Sequence, residues 1–427
     1  MKRRWKGLFL SGIAFFCFLE LASLGFYFTQ HGELFYRSDK ELSLEVFGLN
    51  ETRMHMMVSE RLHPFFGYVL MPGPDFRPGF TLNNYGFISP YSYPLQRDQD
   101  SDFIVGVFGG SVASNYAIFE IQQGILQREL QQRPELAGRE VKIISLANGG
   151  YKQPQQLLIL NYMLAAGQEF DLVINIDGFN EMALSAINHQ VGLDTRMPSA
   201  SHVAPLTSLA NSSLSTDSLQ ALFDIQKSKE QILRIQKSYQ EAQLASSYPF
   251  LQLSLQASLT RYQHALETFQ ELQQNPRDGE ASSSYYYFPR SVSSNEHALE
   301  QIADHWVRSS QLMNHTLSQH DIPYLHVLQP NQYHATQRKY SAAERRQAFD
   351  DQSPYATAIQ QGYPLLIEYV PRLEQAGIHV LNAVDLFDPA PEIMYIDNCC
   401  HYTPEGHLML SERIATELQQ RFEERGL

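Results

Sequence analysis

From Phe103 onward the chain alternates short, almost wholly apolar runs with stretches whose apolar residues recur at helical spacing. That alternation confines it to a parallel β-sheet covered by helices. Five runs read as strands: 103–108, 141–147, 172–176, 324–328 and, less regularly, 379–387. Helices are predicted over about 117–132, 155–166, 295–318, 355–376 and 404–422. The expected architecture is a three-layer α/β/α fold around a five-stranded parallel sheet. In open sheets of this kind, ligands gather beyond the carboxyl ends of the strands.

The residues that follow those strands carry the chemistry. Gly109-Gly110-Ser111 follows the first, and its glycines permit a tight turn from which Ser111 opens a helix with its hydroxyl exposed. Asn148-Gly149-Gly150 follows the second, where glycine lets backbone N–H groups approach a ligand closely. Asp177-Gly178-Phe179-Asn180-Glu181 follows the third and offers a side-chain amide. Asp397 and His401 stand four residues apart just before the final helix. Each has an ordinary structural reading: an N-cap serine, a glycine turn, an Asx-turn, a solvated loop. Their conjunction supplies a nucleophile, oxyanion donors and an acid–base pair. A serine hydroxyl becomes a nucleophile when an imidazole takes its proton, and the imidazole needs a carboxylate to fix its tautomer. The expected catalytic set is Ser111, His401 and Asp397. The Ser111 and Gly150 N–H groups and the Asn180 amide serve as oxyanion donors.

At these positions the sequence resembles the SGNH hydrolases, or GDSL-type esterases and lipases, over about 103–427. The Gly-Asp-Ser block of that family is similar to Gly109-Gly110-Ser111, with Gly110 replacing Asp as in membrane-anchored bacterial members. The second-block glycine resembles Gly150, and Gly-x-Asn-Asp resembles Gly178-Phe179-Asn180-Glu181. The Asp-x-x-His block resembles the region from Asp397 to Gly406. The lead-in with Gly67-Tyr68 and 83–87 also resembles the extension that precedes such domains. The resemblance implies Ser111 as nucleophile, His401 as base, Asp397 as its orienter, and Gly150 with Asn180 in the oxyanion hole. It implies an SGNH or flavodoxin-like sheet and no cofactor. The family spaces Asp and His three apart, and that position holds Asn398, so Asp397 serves only if the loop bulges by one residue. His407, just inside the last helix, is the weaker alternative base. The order of the motifs excludes an α/β-hydrolase, which needs Gly-x-Ser-x-Gly and a well-separated Asp and His; here Ala113 takes the last glycine's place.

The N-terminus begins Met1-Lys-Arg-Arg-Trp-Lys6 and continues with a largely apolar stretch of 22 residues from Gly7 to Phe28 whose one charged residue is Glu20. Such a run can cross the ~30 Å hydrocarbon layer as a helix. Its four leading cations keep the start of the chain cytoplasmic and send the remainder outward, to the periplasm or cell surface. A cleaved signal peptide is the competing reading. Residues 1–29 are therefore expected to form a cytoplasmic tip and membrane anchor, 30–102 an irregular β-rich lead-in, and 103–427 the hydrolase domain. That domain carries a helical insertion at about 183–294. Within the insertion two apolar stripes predict an antiparallel hairpin: Leu219, Leu222, Ile225, Ile232, Ile235 and Tyr239, then Leu255, Leu259, Tyr262, Leu266 and Phe269. The aromatic run 285–288 is a candidate acyl- or glycan-site lining, and 329–333 a candidate wall of the pocket.

With 32 basic against 46 acidic residues, the net charge of −14 repels phosphate backbones, so no nucleic-acid partner is expected. Three cysteines, Cys17, Cys399 and Cys400, make no disulfide framework, and no further Cys or His cluster stands at metal-ligand spacing. Neither a metal nor a cofactor is expected. The functional expectation is an esterase acting through an acyl-serine on a small-molecule, lipid or glycan ester. Acyl transfer or deacetylation on an envelope glycan, or an inactive envelope scaffold, are the alternatives. The sequence leaves the oligomeric state open.

Overall fold

A computed structural model describes residues 2–37, 60–77, 80–98, 102–134, 136–207, 216–274 and 294–425. The chain divides into two compact units, a larger one formed by 59–206 with 286–427 and a smaller one formed by 1–58 with 207–285.

The larger unit is built on strands β5 (Asp102–Gly109), β6 (Glu140–Ser145), β7 (Leu172–Asp177), β8 (Tyr324–Leu328) and β9 (His379–Asn382). All pair in parallel in the order β6-β5-β7-β8-β9, which is 2-1-3-4-5 among the sheet's own strands. Every residue of β5, β7 and β8 is buried, as strands covered on both faces must be. Helices α2 (Ser111–Gln123) and α3 (Ile125–Gln131) follow β5; α4 (Gln155–Ala165) follows β6; α5 (Phe179–Gln190) and α6 (Ala200–Thr207) follow β7. Helices α9 (Asn295–Ser318), α10 (Ala342–Ala348), α11 (Ala356–Gln375) and α12 (Pro404–Arg425) complete the unit. Helices α4, α5, α9 and α11 pack together as one layer, and α2, α3 and α12 as the other.

The chain reverses direction across the sheet between β5 and β7. Ser111 follows one of these strands and Asn180 the other, so both lie at the switch point where such sheets open a crevice. The helix expected over 117–132 is two helices, because Gly124 adopts φ +61° and ends α2 with its N–H on the Glu120 carbonyl. The last strand stops at Asn382 because 383–387 turns, with the Leu386 N–H on the Ala383 carbonyl.

The lead-in forms two antiparallel hairpins, β1 (Glu60–His63) with β2 (Gly67–Leu70) and β3 (Gly73–Arg77) with β4 (Phe80–Leu82). The first is fastened to the sheet domain: the Tyr68 hydroxyl donates to the Gly149 carbonyl at 2.6 Å, and the Gln155 amide to the Phe66 carbonyl at 2.7 Å.

The smaller unit contains α1 (Lys2–His31) and a helical hairpin, α7 (Thr216–Gln240) and α8 (Tyr248–Gln274). Leu222, Ile225, Ile232, Ile235 and Tyr239 face Leu255, Leu259, Tyr262 and Phe269 in one apolar core, joined by Tyr27 and Phe35, while Leu219 is 52% exposed. The start of the insertion, from residue 183, does not belong to this hairpin: Ala183, Leu184 and Val203 are buried in the core of the larger unit. Glu20 meets the elbow of the hairpin, accepting the Ala245 N–H at 2.6 Å and the Ser246 N–H at 2.9 Å, with the Tyr36 hydroxyl also donating to it. The apolar run 7–28 lies on α1, but the side chains of 2–13 fall outside the described residues. Among the described residues no helix is long and apolar enough to cross a membrane. The aromatic run 285–288 lies outside the described residues as well.

Candidate active site

Parallel pairing brings the carboxyl ends of the strands to one edge of the sheet. Gly109 lies opposite Ile176, Asp177 opposite Leu328, and Leu328 opposite Asn382. Ser111 is the first residue of α2, and Gly110, not Ser111, is the N-cap. Freed from capping, the Ser111 Oγ lies 2.7 Å from His401 Nε2. The other ring nitrogen, Nδ1, meets Asp397 Oδ2 in a short hydrogen bond. Serine, imidazole and carboxylate thus form one continuous chain of hydrogen bonds, with His401 and Asp397 both largely buried.

The four-residue spacing is accommodated by a turn built on the carboxylate itself. Asp397 Oδ1 accepts three successive N–H groups, from Cys399 at 3.0 Å, Cys400 at 3.1 Å and His401 at 3.2 Å. Burial works to raise the Asp397 carboxyl, but the facing His401 ring and these hydrogen bonds outweigh it and hold the group well below the usual carboxylate range. Asn398 points elsewhere, its amide donating to Asp350 Oδ2 at 3.2 Å. His407 is no part of the constellation: it stacks on Phe119 at 5.8 Å, and burial followed by the charge of His401 lowers it to about 3.

The segment 329–333, expected to wall the pocket, holds this turn from below. The Asn331 amide donates to the Cys399 carbonyl at 2.9 Å, the Gln332 amide to the Asp397 carbonyl at 3.0 Å, and the Tyr333 hydroxyl to the Asn398 carbonyl at 3.0 Å. Three neighbouring side chains thus fix three neighbouring carbonyls. The turn is positioned by strand β8 although it is about 70 residues away in sequence.

Asn180 and Gly150 lie in the segments that follow β7 and β6. The Asn180 amide donates to the Tyr151 carbonyl at 2.8 Å, and its nitrogen abuts Gly110, where a Cβ would stand 2.0 Å from it. A side chain at 110 would therefore displace the Asn180 amide. Gly150 adopts φ +73°, and a Cβ there would meet His202 Nε2 at 2.4 Å.

Beneath Asn180 the turn into α5 is anchored by Asp177. Its Oδ1 accepts from Trp306 Nε1 at 2.7 Å and meets His326 Nε2 at 2.7 Å, and the other ring nitrogen of His326 meets Ser310 Oγ at 2.7 Å. This second Ser–His–Asp set is sealed in the core, so it is scaffolding. Glu181 accepts the Gly178 N–H at 2.8 Å and the Gln153 N–H at 2.9 Å, tying the turns after β6 and β7 together. Burial, reinforced by Asp177, raises its carboxyl to about 8.

Cys399 Sγ, Cys400 Sγ and a ring nitrogen of His401 lie within 4.8 Å of one another, a set that soft metals favour. Both ring nitrogens of His401 are already engaged by Ser111 and Asp397. Sequence reasoning did not single out Glu60 and His202, which meet beside Gly150. No periodic signal links a lead-in strand to a short helix 142 residues later. No family model matches this chain, and no curated protein matches its sequence.

Proposed function

We propose that the chain is a serine esterase of the SGNH hydrolase type, anchored in a membrane by its N-terminal helix and acting outside the cytoplasm on carboxylic esters. The observation that carries this reading is the hydrogen-bonded sequence Ser111–His401–Asp397 at the switch point of a 2-1-3-4-5 sheet. Ser111 Oγ attacks the ester carbonyl carbon while His401 Nε2 takes the hydroxyl proton. The carbonyl π bond opens to an oxyanion, which accepts N–H bonds from Ser111, Gly150 and Asn180, each donor worth about 3 kcal/mol of barrier. Collapse expels the alcohol, which leaves with the proton from His401, and Ser111 remains acylated. Water, deprotonated by His401, then releases the acid by the same route. Asp397 stays ionised throughout and stabilises the imidazolium.

An inactive scaffold has no use for a serine aligned on a carboxylate-paired imidazole. The test is a fluorophosphonate probe applied to the full-length protein in detergent. Labelling of wild type and none of folded Ser111→Ala is expected; absence of labelling in folded wild type would sink the esterase reading.

A further inference from the structure

Another histidine–carboxylate pair borders the proposed oxyanion hole. Glu60 opens strand β1 in the lead-in and His202 lies on α6, both outside the segments that carry the Ser111 constellation. Glu60 Oε1 stands 2.6 Å from His202 Nδ1, with side-chain exposures of 3% and 11%. The Tyr68 ring lies parallel to the imidazole, 2° from coplanar at a centroid distance of 4.8 Å. With Nδ1 committed to the carboxylate, Nε2 is the nitrogen turned toward Gly150. A Cβ on Gly150 would lie 2.4 Å from that Nε2 and 2.6 Å from the Tyr68 hydroxyl. Among the described residues Nε2 has no hydrogen-bond partner.

The pair is held there by a dedicated set of contacts. Asn188 Oδ1 accepts the Ala200 N–H at 2.8 Å, and its amide donates to the carbonyls of Met197 at 3.0 Å and Pro198 at 3.2 Å, setting the entry to α6. Pro198 in turn packs against Gly67, leaving no room for a side chain there. The lead-in hairpin and α6 are therefore fixed against each other. A carboxylate on one ring nitrogen sets the tautomer and orientation of an imidazole whose other nitrogen serves a ligand.

We propose that His202 Nε2, oriented by Glu60, hydrogen-bonds a hydroxyl of the substrate at the rim of the oxyanion hole, and that the substrate is accordingly a hydroxyl-rich ester, an O-acylated sugar. This rests on the esterase reading and narrows its substrate class. A purely aliphatic ester would leave the Nε2 position beside Gly150 unpaired on binding, at a cost in affinity. A sugar places a hydroxyl next to its ester carbon, within reach of a group bordering the oxyanion. His202 is a binding residue, and Glu60 a positioning residue acting through it.

The test uses the full-length protein in detergent with two acetyl esters, a partially acetylated xylo-oligosaccharide and p-nitrophenyl acetate, which bears no hydroxyl. Fluorophosphonate labelling rates are measured alongside. For His202→Ala, kcat/KM on the acetylated oligosaccharide should fall about 10–100-fold through KM, the range of one hydrogen bond to an ionised or polarised group. Turnover of p-nitrophenyl acetate and the labelling rate should fall by a clearly smaller factor. His202→Gln, which keeps a hydrogen-bonding head, should recover part of the loss, and Glu60→Gln should show the same substrate selectivity at smaller size. Equal losses on both esters and in labelling would make the pair a structural clamp and overturn the proposal. So would unchanged kinetics on both, or a labelled wild type that does not turn over the acetylated oligosaccharide. A wild type that is not labelled at all would instead fail the underlying esterase reading.

Discussion

Asp397 answers two demands at once: one oxygen orients His401, and the other closes the turn that carries His401. Replacing it with Asn398's chemistry at position 397 tests the first demand with little change of shape. Asp397→Asn should lower kcat on a simple ester by about 10⁴, the scale of a wrong imidazole tautomer. Asn398→Ala, whose side chain reaches only Asp350, should change kcat by less than about threefold; steady-state kinetics on p-nitrophenyl acetate separates the two. Gly110 makes a sharper claim, because a Cβ there would stand 2.0 Å from the Asn180 amide nitrogen and displace it. Gly110→Ala should displace that amide and cost roughly 10² in kcat, as a 1 Å misplacement at a reacting centre does. Undiminished activity in Gly110→Ala would show that Asn180 is not used as a donor. The hydrogen-bonded chain of Ser111, His401 and Asp397 was legible because a serine after the first strand, and an Asp and His before the last helix, are residue types with known chemistry. Glu60 and His202 were not, because only tertiary packing brings them to Gly150.

At the scale of elements, β8 and α9 begin and end where the apolar pattern begins and ends, since strand and helix periods are local properties. What the pattern could not reveal is how loops are held. Arg338 and Glu344 form a buried, two-bonded ion pair at 2.8 Å, and Arg338 also donates to the carbonyls of Ala390 at 2.9 Å and Glu392 at 2.8 Å. Glu344 Oε1 accepts the Met394 N–H at 2.8 Å, so the pair binds the whole segment leading into Asp397. Arg338→Ala would strand a buried carboxylate, and urea unfolding should show a loss of about 3–5 kcal/mol. Glu181 supplies a pH-dependent counterpart. Its carboxyl is raised from 4.5 to about 8 by burial and Asp177, so the folded state binds a proton that the unfolded state releases. Its contribution to stability is complete below about 4.5 and is lost as pH rises through about 8. Opposing contributions come from His305 and His407, lowered by burial from 6.5 to about 4 and about 3, as pH rises toward 6.5, and from Lys152, lowered by burial to about 7, above that value. Glu181→Gln should remove the downward contribution between 4.5 and about 8, leaving a stability–pH slope more positive than that of wild type; an unchanged slope would place the proton elsewhere.

Among the described residues of the whole molecule there are two hydrophobic cores that share no residue. One surrounds the sheet in the unit that also holds Ser111, His401 and Asp397; the other joins α7 and α8 to Tyr27 and Phe35 of the N-terminal segment. The chain passes between the units near 58, 206 and 285, so the smaller unit is assembled from two distant stretches of sequence. The apolar stripes at helical spacing revealed its hairpin, but nothing local revealed that the N-terminal helix would supply part of its core. Glu20 explains the pairing physically, because a carboxylate in an apolar helix is costly unless donors meet it, and the exposed amides of the hairpin elbow do so. Separate cores imply separate melting. Leu259 lies at the centre of the hairpin core, and Leu259→Ala should destabilise that unit by about 2–5 kcal/mol. Calorimetry of the full-length protein should show two transitions, with the variant moving only one of them. Fluorophosphonate labelling of Ser111 should persist in the variant up to the temperature of the unmoved transition. A single transition, shifting as a whole and taking the labelling with it, would mean that the hairpin core and the sheet core fold as one cooperative body.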